Sequence, residues 1–128
     1  MNNITIVGRT TKPIKLLTSQ TGKSYCRFTL ACKNKFRDEE DKPKTDFFTC
    51  VAWNAKAKLL DSYAFKGDLL CVTGAMISRN YQDEKGQDKL IWEVRVEDVE
   101  FLTTKAEREK LKEDELAEEP VDDSDLPF

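Results

Sequence analysis

The chain has 128 residues, 24 Asp and Glu, 21 Lys and Arg and no His, which gives a net charge of −3 at pH 7. This length suits one small hydrophobic core, and the lack of His excludes Ser-His-Asp and Cys-His catalysis and the zinc sites that need imidazole. No stretch resembles a signal peptide or a membrane span, so we expect a cytoplasmic protein whose four cysteines stay reduced inside the core.

Charge is divided unevenly along the chain. Residues 1–104 carry 17 Lys and Arg against 14 Asp and Glu, whereas residues 105–128 carry 4 against 10. The first 37 residues hold eight cations and no acid. A basic body of this kind predicts a polyanionic partner, and the acidic end of the chain can fold back onto the same surface.

Three segments in the first half of the chain alternate between apolar and polar residues and are predicted to be strands: Ile4–Val7, Cys26–Cys32 and Phe47–Trp53. In the third strand the alternation places Phe48 and Cys50 on one face and Phe47 and Trp53 on the other. We expect the first face to be core and the second to face outward.

A helix is predicted after the third strand. Asn54 is its expected N-cap, Leu59, Leu60 and Tyr63 share one stripe, and Gly67 stands where a left-handed C-terminal cap belongs.

Two more strands are predicted after the helix, over Leu69–Met76 and Leu90–Val96. In the last strand, Leu90, Trp92, Val94 and Val96 fall on the same side. We expect Trp92 to fill the core.

The order of these elements is three strands, one helix and two strands. It predicts a mainly β fold, the five-stranded oligonucleotide-binding (OB) barrel with a helix between strands 3 and 4. Residues 33–45 would form a long charged loop, and Asp83–Gly86 would turn a hairpin. Spacing alone leaves an SH3-like barrel or a β-sandwich open.

The C-terminal part of the chain differs in composition from the barrel, predicted over residues 1–104. Residues 105–121 form a charged linker with good helix formers, either helical or a charged coil. A flexible acidic tail follows, and its tip predicts a peptide that a partner protein captures by an apolar pocket and basic rim. The alternative is a tail that only confers solubility. The tip residues are Asp122, Asp123, Asp125, Leu126, Pro127 and Phe128.

Several short motifs stand in a characteristic order: Ile4–Gly8, Phe36–Asp38, Thr45–Phe47 leading to Trp53, Tyr63 with Lys66–Gly67, Gly74, Arg79–Tyr81, Gly86–Asp88, Glu93–Val94 and the acidic-Pro-Phe end. With this order and spacing the chain resembles bacterial single-stranded DNA-binding protein, in its host or phage-encoded form. The resemblance implies an OB barrel, a homotetramer, a location in the cytoplasm with the nucleoid, and no cofactor or metal.

The resemblance also implies which side chains bind DNA. Four aromatic residues match positions on which the family stacks bases, namely Phe36, Phe47, Trp53 and Tyr81. Aromatic faces stack on any base, so they give affinity without sequence choice. The cations expected to hold phosphates are Arg27, Lys33, Lys35, Arg37, Lys66 and Arg79.

We therefore expect a non-catalytic protein that coats single-stranded DNA in replication, recombination and repair and recruits enzymes through its C-terminal peptide. An RNA-binding OB or cold-shock-like module is the main alternative, because it would use similar aromatic residues. A metal-dependent nuclease is a further alternative, and it would require carboxylates that converge in the barrel groove.

Overall fold

The computed structural model describes residues 1–117. Within this range the chain forms six strands and two helices. Their bounds are β1 (Ile4–Thr10), β2 (Leu17–Thr18), β3 (Ser24–Arg37), β4 (Pro43–Trp53), α1 (Ala55–Tyr63), β5 (Leu69–Gln82), β6 (Asp88–Phe101) and α2 (Lys105–Ala117).

Five of the strands close into a barrel. β1 pairs antiparallel with β5, β5 with β6, and β3 with β4, while β4 and β6 run parallel. Closure comes from Arg9 and Thr10 of β1, which lie opposite Ala31 and Leu30 of β3. The mainly β, five-stranded OB barrel with one helix after its third long strand is thus confirmed, and β2 is a two-residue addition at the edge of β3.

The barrel core is built from the inward residues of each strand and from one side of α1. Leu30, Leu60 and Leu70 are fully buried, and burial of each such side chain stabilises the fold by about 2 kcal/mol. Ala57 and Leu60 anchor α1 on the barrel, where the helix contacts β3, β4 and β6. Tyr63, predicted on the same helical stripe as Leu60, is exposed, so the last turn of the helix does not pack on the core through this residue.

The cysteines are free thiols, and two of them are core residues as predicted. Cys26 and Cys50 are fully buried, whereas Cys32 and Cys71 are partly exposed. Burial disfavours the thiolate and raises the pKa of Cys26 to about 11 and that of Cys50 to about 12. Both thiols are therefore protonated at neutral pH and behave as small apolar side chains.

The strands are longer than their alternation indicated. Most of the predicted loop over residues 33–45 is strand, and the turn between β3 and β4 spans only Asp38–Lys42. One Asp38 carboxylate oxygen accepts the backbone N–H groups of Glu40 and Lys42, which holds this turn. The hairpin predicted at Asp83–Gly86 is present, since the N–H of Gly86 donates to the carbonyl of Asp83.

The prediction that Trp92 fills the core is wrong. Trp92 is 58% exposed and Leu90 is exposed beside it, although Val94 and Val96 of the same strand face are buried. The physical reason is that β5 and β6 continue as a two-stranded hairpin that extends past the barrel. Alternation persists along β6. On the N-terminal side of Val94, however, no barrel core remains for the even-numbered residues Trp92 and Leu90 to enter.

Helix α1 begins where predicted but ends earlier. Asn54 precedes it with φ 54°, and its side chain makes no capping hydrogen bond. The helix stops at Tyr63, with Ala64 in extended conformation, so Gly67 is not its cap. Gly67, at φ 85°, instead serves the turn between Phe65 and Asp68.

Gly74 is required by a close approach between strands. The register between β5 and β6 shifts at Thr73 and Gly74, and a Cβ atom at Gly74 would overlap the carbonyl oxygen of Arg95. Only glycine permits this approach, because the opposing atom belongs to the backbone and no flexible side chain is present there to move aside.

Residues 105–117, which the sequence left as helix or coil, form α2 and pack against the barrel. Arg108 forms an ion pair with the fully buried Asp68 at 3.3 Å, and its guanidinium lies 4.8 Å from the centre of the Phe101 ring. Leu111 lies against Gly67, and Arg9 pairs with Glu107 at 3.0 Å. Most of the predicted linker is therefore helical and docked on the barrel.

Candidate nucleic-acid interface

One broad face of the barrel carries most of the predicted site residues. It is formed by the outward residues of β3 and β4 and by the neighbouring β6 and β5. Antiparallel partners share a face of a sheet, and residues two apart along a strand lie on the same side. Because Arg27 lies opposite Val51, and Val51 opposite Arg95, a continuous surface crosses these strands.

The four predicted stacking residues all lie at the surface. Phe36 is 77% exposed, Phe47 is 50% exposed and Tyr81 is 43% exposed. Trp53 is half-buried because it packs on Tyr25, with ring centroids 5.1 Å apart and planes at 31°. Tyr25 directly faces Trp53 in the β3–β4 pairing, so it adds an aromatic surface that the sequence had not singled out.

Phe36 is exposed for a different structural reason from the other three aromatic residues. It shares the parity of the core residues Phe28 and Leu30, but it lies in the distal part of the β3–β4 hairpin, outside the core. The register shifts there, since Lys33 faces Thr45 whereas Arg37 faces Pro43, so β3 advances further than β4 between the two pairs. This irregularity twists the hairpin and exposes the ring.

Two of the predicted cations share one buried carboxylate. Glu93 is only 3% exposed, and its two oxygens bind Nε of Arg27 at 3.1 Å and Nε of Arg79 at 2.7 Å. Each arginine side chain keeps 42% of its surface exposed. Glu93 therefore fixes both guanidinium groups on the sheet face, and the three residues together retain one positive charge.

The remaining cations lie in different settings. Lys33 and Lys35 lie on the β3–β4 hairpin near Phe36, and both are exposed. Arg37 is on the same hairpin, where its Nη1 donates to the carbonyl of Asp41 at 2.9 Å. Lys66 is separated from them, since it lies in the turn before β5, where its backbone N–H donates to Glu115 of α2.

The structure identifies features that alternation could not. Glu93 follows a run of charged and apolar residues, and only the pairing of strands brings two arginines onto it. Trp92 had the signature of a core residue. It faces away from Tyr81, because Trp92 is paired with Ser78 whereas Tyr81 is paired with Lys89 on the other side of the hairpin.

An open groove of about 640 Å³ adjoins Trp53. It lies between the β2–β3 turn, the start of α1 and the outward side of β6. Seven residues line it: Ser19, Gln20, Thr21, Lys23, Trp53, Asn54 and Arg95.

Among residues 1–117, no group of three or more Cys, Asp or Glu side chains is arranged to hold a metal ion. In the same range, neither helix has the length and apolar character needed to cross a membrane. The predicted protein-binding tip, Asp122 to Phe128, lies outside the described residues.

Comparison with known proteins supports one family. A model of the Single-strand binding protein family matches residues 1–102. Single-stranded DNA-binding protein 1 of Streptococcus pyogenes serotype M18 is 33% identical over 102 residues, covering 80% of this chain and 78% of the relative. The single-stranded DNA-binding protein of Enterococcus faecalis is 34% identical over 110 residues, covering 86% of this chain and 58% of the relative.

A solved structure of Plasmodium falciparum SSB in complex with ssDNA has a similar fold. It superposes with a TM-score of 0.72 at 28% identity, and the match covers 80% of this chain and 96% of that one. The resemblance inferred from the sequence is confirmed: the chain belongs to the single-strand binding protein family.

Proposed function

We propose that the protein binds single-stranded DNA without sequence specificity. The observation that carries the proposal is the outward position of Phe36, Phe47, Trp53 and Tyr81 on a barrel whose core is complete without them. Exposed aromatic rings are unfavourable in water, and nucleobases are the ligands that cover flat rings regardless of base identity. Stacking contributes about 1–3 kcal/mol per base.

The preference for single strands follows from the same geometry. In a duplex each base is stacked above and below by its neighbours, so its face is hidden from a protein side chain. Only an unpaired strand can present successive bases to separate rings along β3, β4 and the β5–β6 hairpin. The nearby cations Arg27, Lys33, Lys35, Arg37 and Arg79 would hold its phosphates, which predicts binding that weakens with salt.

In the proposed function, Glu93 holds Arg27 and Arg79 in fixed positions on the DNA-binding surface. Each guanidinium uses Nε to bind Glu93, and its terminal NH₂ groups remain available to phosphate oxygens. A fixed guanidinium loses less conformational entropy on binding than a free one. Lys66 lies on the α2 side of the molecule, and we expect it to contribute less to phosphate binding than the other cations.

The cellular role is proposed from family membership. We infer that the protein coats single strands during replication, recombination and repair in the cytoplasm, as a homotetramer and without catalysis. We further propose that Asp122, Asp123, Asp125, Leu126, Pro127 and Phe128 recruit partner enzymes. Removal of these residues should abolish recruitment and leave DNA binding unchanged or tighter.

Tryptophan fluorescence tests the DNA site. In the Trp92→Phe variant, Trp53 is the remaining tryptophan, and oligo(dT) should quench its emission strongly because a base stacks on it. In the matched Trp53→Phe variant the signal comes from Trp92, which faces away from Tyr81, and it should change little. Strong quenching of Trp92 with a silent Trp53 would refute the assigned face.

A competition experiment separates DNA from RNA binding. Unlabelled oligo(U) should displace labelled oligo(dT) less effectively than unlabelled oligo(dT) of the same length. Preferential displacement by oligo(U) would favour the RNA-binding alternative.

A further inference from the structure

The groove beside Trp53 is lined by cations and polar groups and by no carboxylate. Lys23 and Arg95 contribute its positive charge. Among residues 1–117, neither side chain pairs with a carboxylate, in contrast to Arg27 and Arg79, which share Glu93. Two cations without acidic partners beside an outward aromatic ring create a local attraction for an anion.

The β2–β3 turn that carries Lys23 is held in one shape by its own hydrogen bonds. The N–H of Ser19 donates to the carbonyl of Lys23 at 2.8 Å, and the N–H of Lys23 donates to Ser19 Oγ at 3.1 Å. The hydroxyl groups of Ser19 and Thr21 are 3.1 Å apart. The position of this wall is therefore set before any ligand arrives.

The third wall is the start of α1. Asn54 makes no side-chain cap, and the first turn contains no acidic residue, so the positive end of the helix dipole has no local anion. Asn54 also has φ 54°, a backbone conformation that favours glycine. Strain of this kind concentrates at binding sites.

We propose that this groove binds a phosphodiester group of the DNA strand next to the base stacked on Trp53. The inference rests on the proposed function and adds Lys23 and Arg95 to the DNA path. The groove volume of about 640 Å³ lies within the about 300–1,000 Å³ typical of small-ligand sites, which suits part of one nucleotide chain. Arg95 reaches the groove from β6, where it lies opposite Val51, two residues from Trp53 on β4.

The salt dependence of binding tests the proposal. We would measure the affinity of a short oligo(dT) at several salt concentrations for the wild type and for Lys23→Gln combined with Arg95→Gln. The slope of log affinity against log salt should shrink by about 0.7 for each phosphate that the variant no longer binds. The matched control is Lys105→Gln combined with Lys110→Gln, which removes the same charge from exposed positions on α2.

The two proposals fail differently. If the wild type binds and the groove variant keeps the slope and affinity of the control variant, the groove assignment is overturned and the proposed function stands. If the wild type does not bind oligo(dT), both are overturned.

Neutral methylphosphonate linkages give a second readout. One such linkage in the strand should weaken binding to the wild type at the position that enters the groove, and it should have little further effect on the Lys23→Gln, Arg95→Gln variant. Independent, additive decreases in affinity at every linkage would overturn the proposed phosphate site.

Discussion

Substitution of Arg108 by Met should release α2 from the barrel. Methionine keeps an apolar chain over the Phe101 ring but removes the guanidinium that binds Asp68 through both carboxylate oxygens. The same group donates to the carbonyl of Tyr63 at 2.6 Å. Arg108→Met therefore leaves a fully buried carboxylate without its counterion.

The magnitude follows from what remains around Asp68. Removal of one partner of a buried ion pair costs about 3–5 kcal/mol. Asp68 keeps two donors, the hydroxyl of Thr103 and the backbone N–H of Phe65, and Arg108 is itself 25% exposed. Because these donors and this exposure lower the cost of an unpaired carboxylate, we expect the free energy of unfolding to fall by about 2–3 kcal/mol. For a domain of this size, that corresponds to a fall in Tm of roughly 10 °C.

Thermal melting and limited trypsin digestion check this prediction. In Arg108→Met, trypsin should cleave the remaining Lys sites of α2 faster, because an undocked helix of 13 residues is barely stable alone. Lys110→Met is the matched control, since Lys110 is an exposed residue of the same helix. If the free energies of unfolding of the two variants differ by less than about 0.5 kcal/mol and trypsin cleaves both at the same rate, the ion pair does not hold α2 on the barrel.

Two other predictions concern the barrel. Asn54→Gly should raise the free energy of unfolding by about 1 kcal/mol in thermal melts, because glycine adopts φ 54° without strain; an unchanged or lower value would contradict this. The raised thiol pKa of Cys26, about 11 against an ordinary 9.0, should make stability fall as pH rises from about 9 towards 11, since the unfolded chain ionises first. Denaturant titrations of wild type and Cys26→Ala across this range compare the two slopes, and equal slopes would exclude the contribution of Cys26.

Docking of α2 matters for the proposed tail. The described part of the chain includes α2 to Ala117, and 11 further residues lead to Phe128. A chain of that length spans at most about 40 Å. The C-terminal peptide would therefore act within a short radius of the α2 end of the barrel, and Arg108→Met would lengthen its reach.

Local alternation in the sequence predicted a mainly β fold and much of its core, but it left the OB barrel, an SH3-like barrel and a β-sandwich open. In a strand that is buried on one face, every second side chain points into the core. The alternation in Cys26–Cys32 and Phe47–Trp53 therefore predicted that Leu30 lies inside and Phe47 outside, as the structure has them. A helical stripe that includes Leu59 and Leu60, after the expected N-cap Asn54, predicted α1 between β4 and β5. Motif order then led to the family that the comparisons confirm.

Other features were decided only by contacts between residues distant in the chain. Alternation cannot tell where the core ends along a strand, so it predicts a buried Trp92 although the hairpin that carries this residue extends into solvent. Glu93 becomes a shared partner of Arg27 and Arg79 only because the sheet brings β6 next to β5 and, across β4, close to β3. Asp68 and Arg108 are 40 residues apart, and no local pattern links them. Local sequence determines which face of an element is apolar, but charge pairing and the limits of burial depend on neighbours that only the closed barrel brings together.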